Sequence, residues 1–151
     1  MREIVTTTVR ITHNTSTTQY TAKDVISAGT TVPMAFASTF MGGAVTKLMV
    51  KTNVAAFTGL VRLWLYAGTA PTFAIDNAAM NMLYSESYIG YIETSLEAWG
   101  TACSIGGATD NISFPPTTDG YIYGVLTVGA GASPTPTNGM LIDVSLTCEN
   151  F

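Results

Sequence analysis

Gly59-Leu60-Val61-Arg62-Leu63-Trp64-Leu65-Tyr66-Ala67 is the stretch from which the fold is read. In an extended chain alternate side chains point to opposite faces. Val61, Leu63 and Leu65 then share one wholly aliphatic face, and Leu60, Arg62, Trp64 and Tyr66 share the other. The aliphatic face is expected in a core. The second face mixes an arginine with aromatic rings, which predicts a surface covered by another element or another chain. Two coverings are open, the loop Pro71–Met82 and a neighbouring subunit.

Similar alternation runs outward in both directions. Residues 3–12 put Val5, Thr7, Val9 and Ile11 on one face and Thr6, Thr8, Arg10 and Thr12 on the other. Met34–Phe40 alternates after Pro33, and Ala44–Thr52 sets Leu48 and Val50 against Lys47 and Lys51, so the two are expected as a hairpin. Leu83–Glu93 reads as extended, and Leu96–Ile105 as a further, weaker strand. Gly106-Gly107 is expected to open a loop, and Asn111–Phe114 to be a short extended piece. Tyr121–Val128 sets Ile122, Leu126 and Val128 against Tyr121, Tyr123 and Val125. Met140–Cys148 has the cleanest alternation, with Met140, Ile142, Val144, Leu146 and Cys148 on one side. Pro71–Met82 is expected as a short helical turn or irregular loop, with Asp76-Asn77 as a cap.

About eight strands, spaced near the 8–12 residues typical of sandwiches and barrels, predict an all-β domain. Uneven connections favour an antiparallel, jelly-roll-like β-sandwich over an up-and-down meander. At 151 residues the chain is long enough to bury a core without staples. Residues 13–151 are expected to form the sandwich, and residues 1–12 an N-terminal strand or arm.

Composition narrows the function. Charged residues make up only 11%, against about 25% in an ordinary soluble domain. Low charge with high apolar content predicts a subunit that buries surface against neighbours, where charge would carry a desolvation penalty. No run approaches the roughly 20 apolar residues of a membrane-spanning helix, and no leader pattern opens the chain. The net charge is −4 and the six basic residues are scattered, so neither a membrane nor a nucleic-acid partner is expected. Cys103 and Cys148 are expected as buried free thiols in a protein made in a reducing cytoplasm, with a single bridge between them as the alternative.

Catalytic chemistry finds little support. The only histidine, His13, lies in a Ser/Thr-rich turn, His13 to Thr17, with no nucleophile signature and is expected to be exposed. His/Cys ligand clusters are lacking, and the loop aspartates Asp76, Asp110 and Asp119 read as turn formers. No enzyme, cofactor or metal is expected. Trp64, Trp99, Tyr84, Tyr88, Tyr91, Tyr121 and Tyr123 are candidate sugar platforms, but strand aromatics more commonly serve cores and subunit contacts.

Several pieces, in their order and spacing, resemble the capsid cement or decoration proteins of tailed bacteriophages. They are Tyr20-Thr21-Ala22-Lys23-Asp24-Val25; Leu60 to Tyr66; Ala70-Pro71-Thr72 with Ile75-Asp76-Asn77-Ala78-Ala79; Ile89-Gly90-Tyr91-Ile92; and Tyr121-Ile122-Tyr123-Gly124-Val125-Leu126 with the final strand. The resemblance implies a jelly-roll-like virion subunit on the outer surface of the phage head, made in the host cytoplasm. Such a subunit binds the major capsid protein and itself, as a homotrimer or a dimer, and stabilises contacts between capsomers. Arg2, Ile4, Val5, Arg10, Trp64, Tyr66 and Trp99 are the expected contact residues. The competing expectation is a carbohydrate-binding or tail-associated adhesin module.

Overall fold

A computed structural model describes residues 3–13, 17–29, 31–39, 41–80 and 86–150. Its eight strands are β1 (Ile4–His13), β2 (Met34–Ala37), β3 (Gly43–Thr52), β4 (Gly59–Ala67), β5 (Tyr88–Trp99), β6 (Cys103–Phe114), β7 (Tyr121–Val128) and β8 (Met140–Asn150). All pairings are antiparallel, in the order β1-β8-β3-β6-β5-β4-β7-β2. The ladder is continuous but folds over at β5. That strand pairs with β4 from Tyr88 to Leu96 and with β6 only from Glu97 to Trp99. The result is two facing layers, β1-β8-β3-β6 and β5-β4-β7-β2, with the strand order of a jelly roll. The expected sandwich is present, with its layers joined by hydrogen bonds along one side.

The core lies between the layers. Val61, Leu63 and Leu65 of β4 and Met140, Ile142, Val144, Leu146 and Cys148 of β8 are all buried, as their alternation requires. The fold-over depends on Gly106. A Cβ there would lie 2.4 Å from the Ser95 carbonyl oxygen, so only glycine lets β6 approach β5 this closely.

Several local expectations are corrected. Gly106-Gly107 and Asn111–Phe114 are interior to β6. Leu96–Ile105 is two strand ends around a tight turn at Gly100 (φ +70°), so β5 and β6 form the hairpin. The segments Met34–Phe40 and Ala44–Thr52 do not pair. β2 joins β7 and β3 joins β8 and β6, because the chain crosses between layers after β2. Of the two expectations for Pro71–Met82, the irregular loop is the one that residues 71–80 take, with Asn77 at φ +56°; residues 81 and 82 lie outside the described set. Residues 4–12 of the expected N-terminal strand or arm, continued by His13, form β1, which pairs along its whole length with β8 of the same chain as an edge strand of the sheet.

Candidate interaction surface

The outward face of β4 is best read through its neighbours. Register sets Arg62 opposite Glu93 and Trp64 opposite Tyr91 on β5, with Thr127 and Val125 beyond them on β7. Arg62 donates from Nε and Nη2 to Glu93 Oε2 at 3.0 and 2.9 Å. Its guanidinium carbon sits 4.2 Å from the Tyr91 ring centroid and 5.2 Å from that of Trp64. Trp64 Nε1 donates to Thr127 Oγ1 at 2.9 Å. Trp64 also packs against Tyr91 and Tyr88, at centroid separations of 5.3 and 6.0 Å. Each cation–π contact at a surface site is worth about 0.5–1 kcal/mol, so together with the Arg62–Glu93 pair they favour this arrangement before anything docks. Tyr91 remains 41% exposed and Tyr88 36%. The patch offers aromatic area, and its one cation is already paired, which lowers the desolvation penalty of burying it.

Tyr66 does not belong to this surface. A bulge between Leu65 and Tyr66 shifts the β4–β5 register there. The ring is 1% exposed, packed with Val25, Phe73 and Val125, with Met80 at the edge of that cluster. Burial pushes its hydroxyl pKa up to about 12. Of the two expected coverings, the chain's own loop covers Tyr66, and this removes it from the candidate contacts.

That loop is stitched to residues 18–27. Val25 N–H donates to Ala78 C=O (3.0 Å), Asn77 N–H to Val25 C=O (2.9 Å) and Met80 N–H to Lys23 C=O (2.8 Å). Asp76 sits at the centre, its side chain 3% exposed. Its Oδ1 accepts from the Tyr20 hydroxyl at 2.6 Å and from Ser27 N–H at 2.9 Å, and lies 3.8 Å from His13 Nδ1. Burial, then Asp76, raises the Tyr20 pKa far above the ordinary tyrosine range. His13 is therefore corrected from an exposed turn residue to a buried one. It ends β1 on the core-facing parity of Val9 and Ile11, with Nδ1 3.2 Å from Ser27 O. Among the described residues every buried side-chain nitrogen and oxygen has a partner, and no three His, Cys, Asp or Glu side chains converge.

The remaining expected contacts are dispersed. Trp99 ends β5 beside the hairpin turn and is 72% exposed. Ile4 is exposed and Val5 half-buried on β1. Arg10 makes a bidentate pair with Asp143, at 2.8 and 3.0 Å, within its own chain. Arg2 and Tyr84 lie outside the described residues. Half-buried Trp64 is brought together with the exposed rings of Tyr88 and Tyr91, and buried Tyr66 backs Tyr88 at 5.6 Å. Both cysteines are free thiols; Cys148 is buried as expected, but Cys103 is only partly so. The partnership of Arg62 with Glu93 and Tyr91 was not visible before the register was known. A cross-strand pair across 31 positions leaves no local trace in sequence.

No protein-family model and no curated protein matches the chain. Among solved structures it is similar to the globular domain of zebrafish complement 1qA protein, at 9% identity over 97% of this chain and 96% of that one, with a TM-score of 0.42. It is similar to the PRD1 vertex protein P5, at 12% identity over 98% and 96%, with a TM-score of 0.43. A chain of the cyanophage Pam1 capsid asymmetric unit gives 13% identity over 99% and 85%, with a TM-score of 0.37. At these identities and TM-scores the likenesses carry no argument about function.

Proposed function

We propose that the chain is a non-enzymatic structural virion protein. In this reading it is a cement or decoration subunit on the outer surface of a phage head, binding the major capsid protein and further copies of itself. The observation that carries the reading is the preassembled Arg62–Trp64–Tyr88–Tyr91–Glu93 surface, aromatic and internally charge-paired. Interfaces concentrate their energy in aromatic and arginine anchors of this kind. The exposed Trp99 at the hairpin end supplies a second anchor, and multivalent attachment would multiply modest contacts.

Co-sedimentation with expanded phage heads, together with analytical ultracentrifugation of the free protein, tests this. Saturable head binding and self-association are expected. Tyr91→Ala, removing an anchor worth about 2 kcal/mol, weakens binding roughly 30-fold. A protein that stays monomeric and leaves heads undecorated refutes the proposal. The same exposed rings, Tyr88 and Tyr91, favour one other reading, a carbohydrate-binding module. Saturable quenching of tryptophan fluorescence by polysaccharide, without head binding, would select it.

A further inference from the structure

The two layers are hydrogen-bonded to each other along one side, at β5–β6. On the other side two strand edges face each other, β1 and β2. Antiparallel pairing determines which backbone groups are spare there. Asn150 N–H donates to Glu3 C=O, and Gly139 N–H to His13 C=O. Odd-numbered residues of this strand therefore bond to β8, while Thr8, Arg10 and Thr12 turn their N–H and C=O groups away from it. On the facing edge Ser38 N–H donates to Gly120 C=O. Even-numbered residues of β2 thus bond to β7, and Ala35 and Ala37 face the seam. One spare donor is met: Ala37 N–H donates to Thr7 Oγ1 at 3.2 Å, closing one end.

Beyond that contact the edges part around a cavity of about 420 Å³. One wall runs from Val9 to Thr12 and the other from Val32 to Ala35, with Ile11, Ile26, Met34 and Leu126 among its apolar lining. Four residues on each wall correspond to a run of about 13 Å of extended chain. Just past the cavity the chain solves the same problem for itself. Residues 24–26 lie along β7, with Ile26 N–H donating to Leu126 C=O and Val128 N–H to Asp24 C=O; Val25 is bonded on its far side by residues 77 and 78. Extended backbone is thus what the neighbouring part of this layer takes, and among the described residues the slot beside Arg10 and Thr12 is the stretch without it.

We propose that this slot receives an extended, uncharged peptide segment of a partner chain, added as a strand to the β1 edge at Arg10 and Thr12. Main-chain groups would supply affinity, and alternate small apolar side chains would fill the cavity. The inference does not depend on the partner being a capsid protein.

Amide hydrogen exchange of the full chain, with and without a millimolar blocked octapeptide alternating valine and serine, tests it. The amides of Arg10 and Thr12 are expected to slow by roughly tenfold or more, while those of Val9 and Ile11, already bonded to β8, stay unchanged. Thr12→Pro deletes a slot-facing donor without touching the β8 ladder and abolishes the protection. Ala28→Trp, which fills the cavity from its lining, does the same and serves if the proline variant fails to fold. No protection by the peptide, or equal protection of odd and even amides, overturns the proposal. Protection that grows with protein concentration in the absence of peptide also overturns it, since the occupant is then a second copy of this chain.

Discussion

Replacing Asp76 by alanine tests whether one buried carboxylate holds two loops together. Its Oδ1 accepts from the Tyr20 hydroxyl at 2.6 Å and from Ser27 N–H at 2.9 Å. Hydrogen bonds to a charged acceptor contribute about 1.5–3 kcal/mol each, and a buried donor left without an acceptor costs about 1–3 kcal/mol. Asp76→Ala is therefore expected to destabilise the fold by about 3–5 kcal/mol. For a domain of this size that is a fall in Tm of about 10 °C. Tyr20→Phe keeps the ring on Phe57, 6.1 Å away edge-to-face, and loses about 1–2 kcal/mol. Urea unfolding of both single variants and the double variant measures the coupling. The double variant should lose less than the sum of the two, by about 1 kcal/mol. A second readout is spectroscopic: with the loop released, Tyr66 ionises below its native value of about 12. A loss under about 1 kcal/mol for Asp76→Ala, or strict additivity, refutes the assignment.

Three further outcomes are expected. Gly106→Ala forces a Cβ against the Ser95 carbonyl and should lower stability by about 2–4 kcal/mol; Gly107→Ala, whose Cβ meets Leu48 O at an ordinary 3.4 Å, should stay within about 0.5 kcal/mol in the same urea series. In native protein a thiol reagent at pH 8 should label Cys103 alone, because burial pushes the Cys148 thiol up to about 12; rapid labelling of both thiols would refute this. The Arg10 guanidinium holds Asp143 below the ordinary carboxylate value of 3.8. A depressed carboxylate contributes stability that is complete above its unfolded pKa and is lost as the pH falls through its folded one. Asp143→Asn should therefore flatten the acid limb of the stability profile, and an unchanged limb in urea titrations below pH 4 would contradict that.

Strands with strict alternation were readable in advance. β4, β7 and β8 fall where their apolar residues recur every second position. The β5–β6 hairpin was not, because its decisive residue is a glycine. Gly106 carries no hydropathy signal, and its requirement comes from Ser95, which meets it only in three dimensions. His13 was readable and passed over: it continues the parity of Val5, Thr7, Val9 and Ile11 by one step, and the polar neighbours after it hid this. Asp76 resembled a turn former because its partners, Tyr20 and Ser27, come from a loop some 50 positions away. The surface of Arg62, Trp64 and Tyr91 was half visible, since the residue types were plain but their pairing depends on register.

The uneven joining of the layers has a mechanical consequence. The molecule is built like a bound book, with the β5–β6 ladder as its spine and the β1–β2 seam, held by Thr7 and Ala37, as its fore-edge. Load applied across the layers meets a backbone ladder at the spine but, among the described residues, only side-chain links at the fore-edge, Thr7 with Ala37 at one end and His13 with Ser27 at the other, so beyond the shared apolar core the fore-edge is the weaker margin.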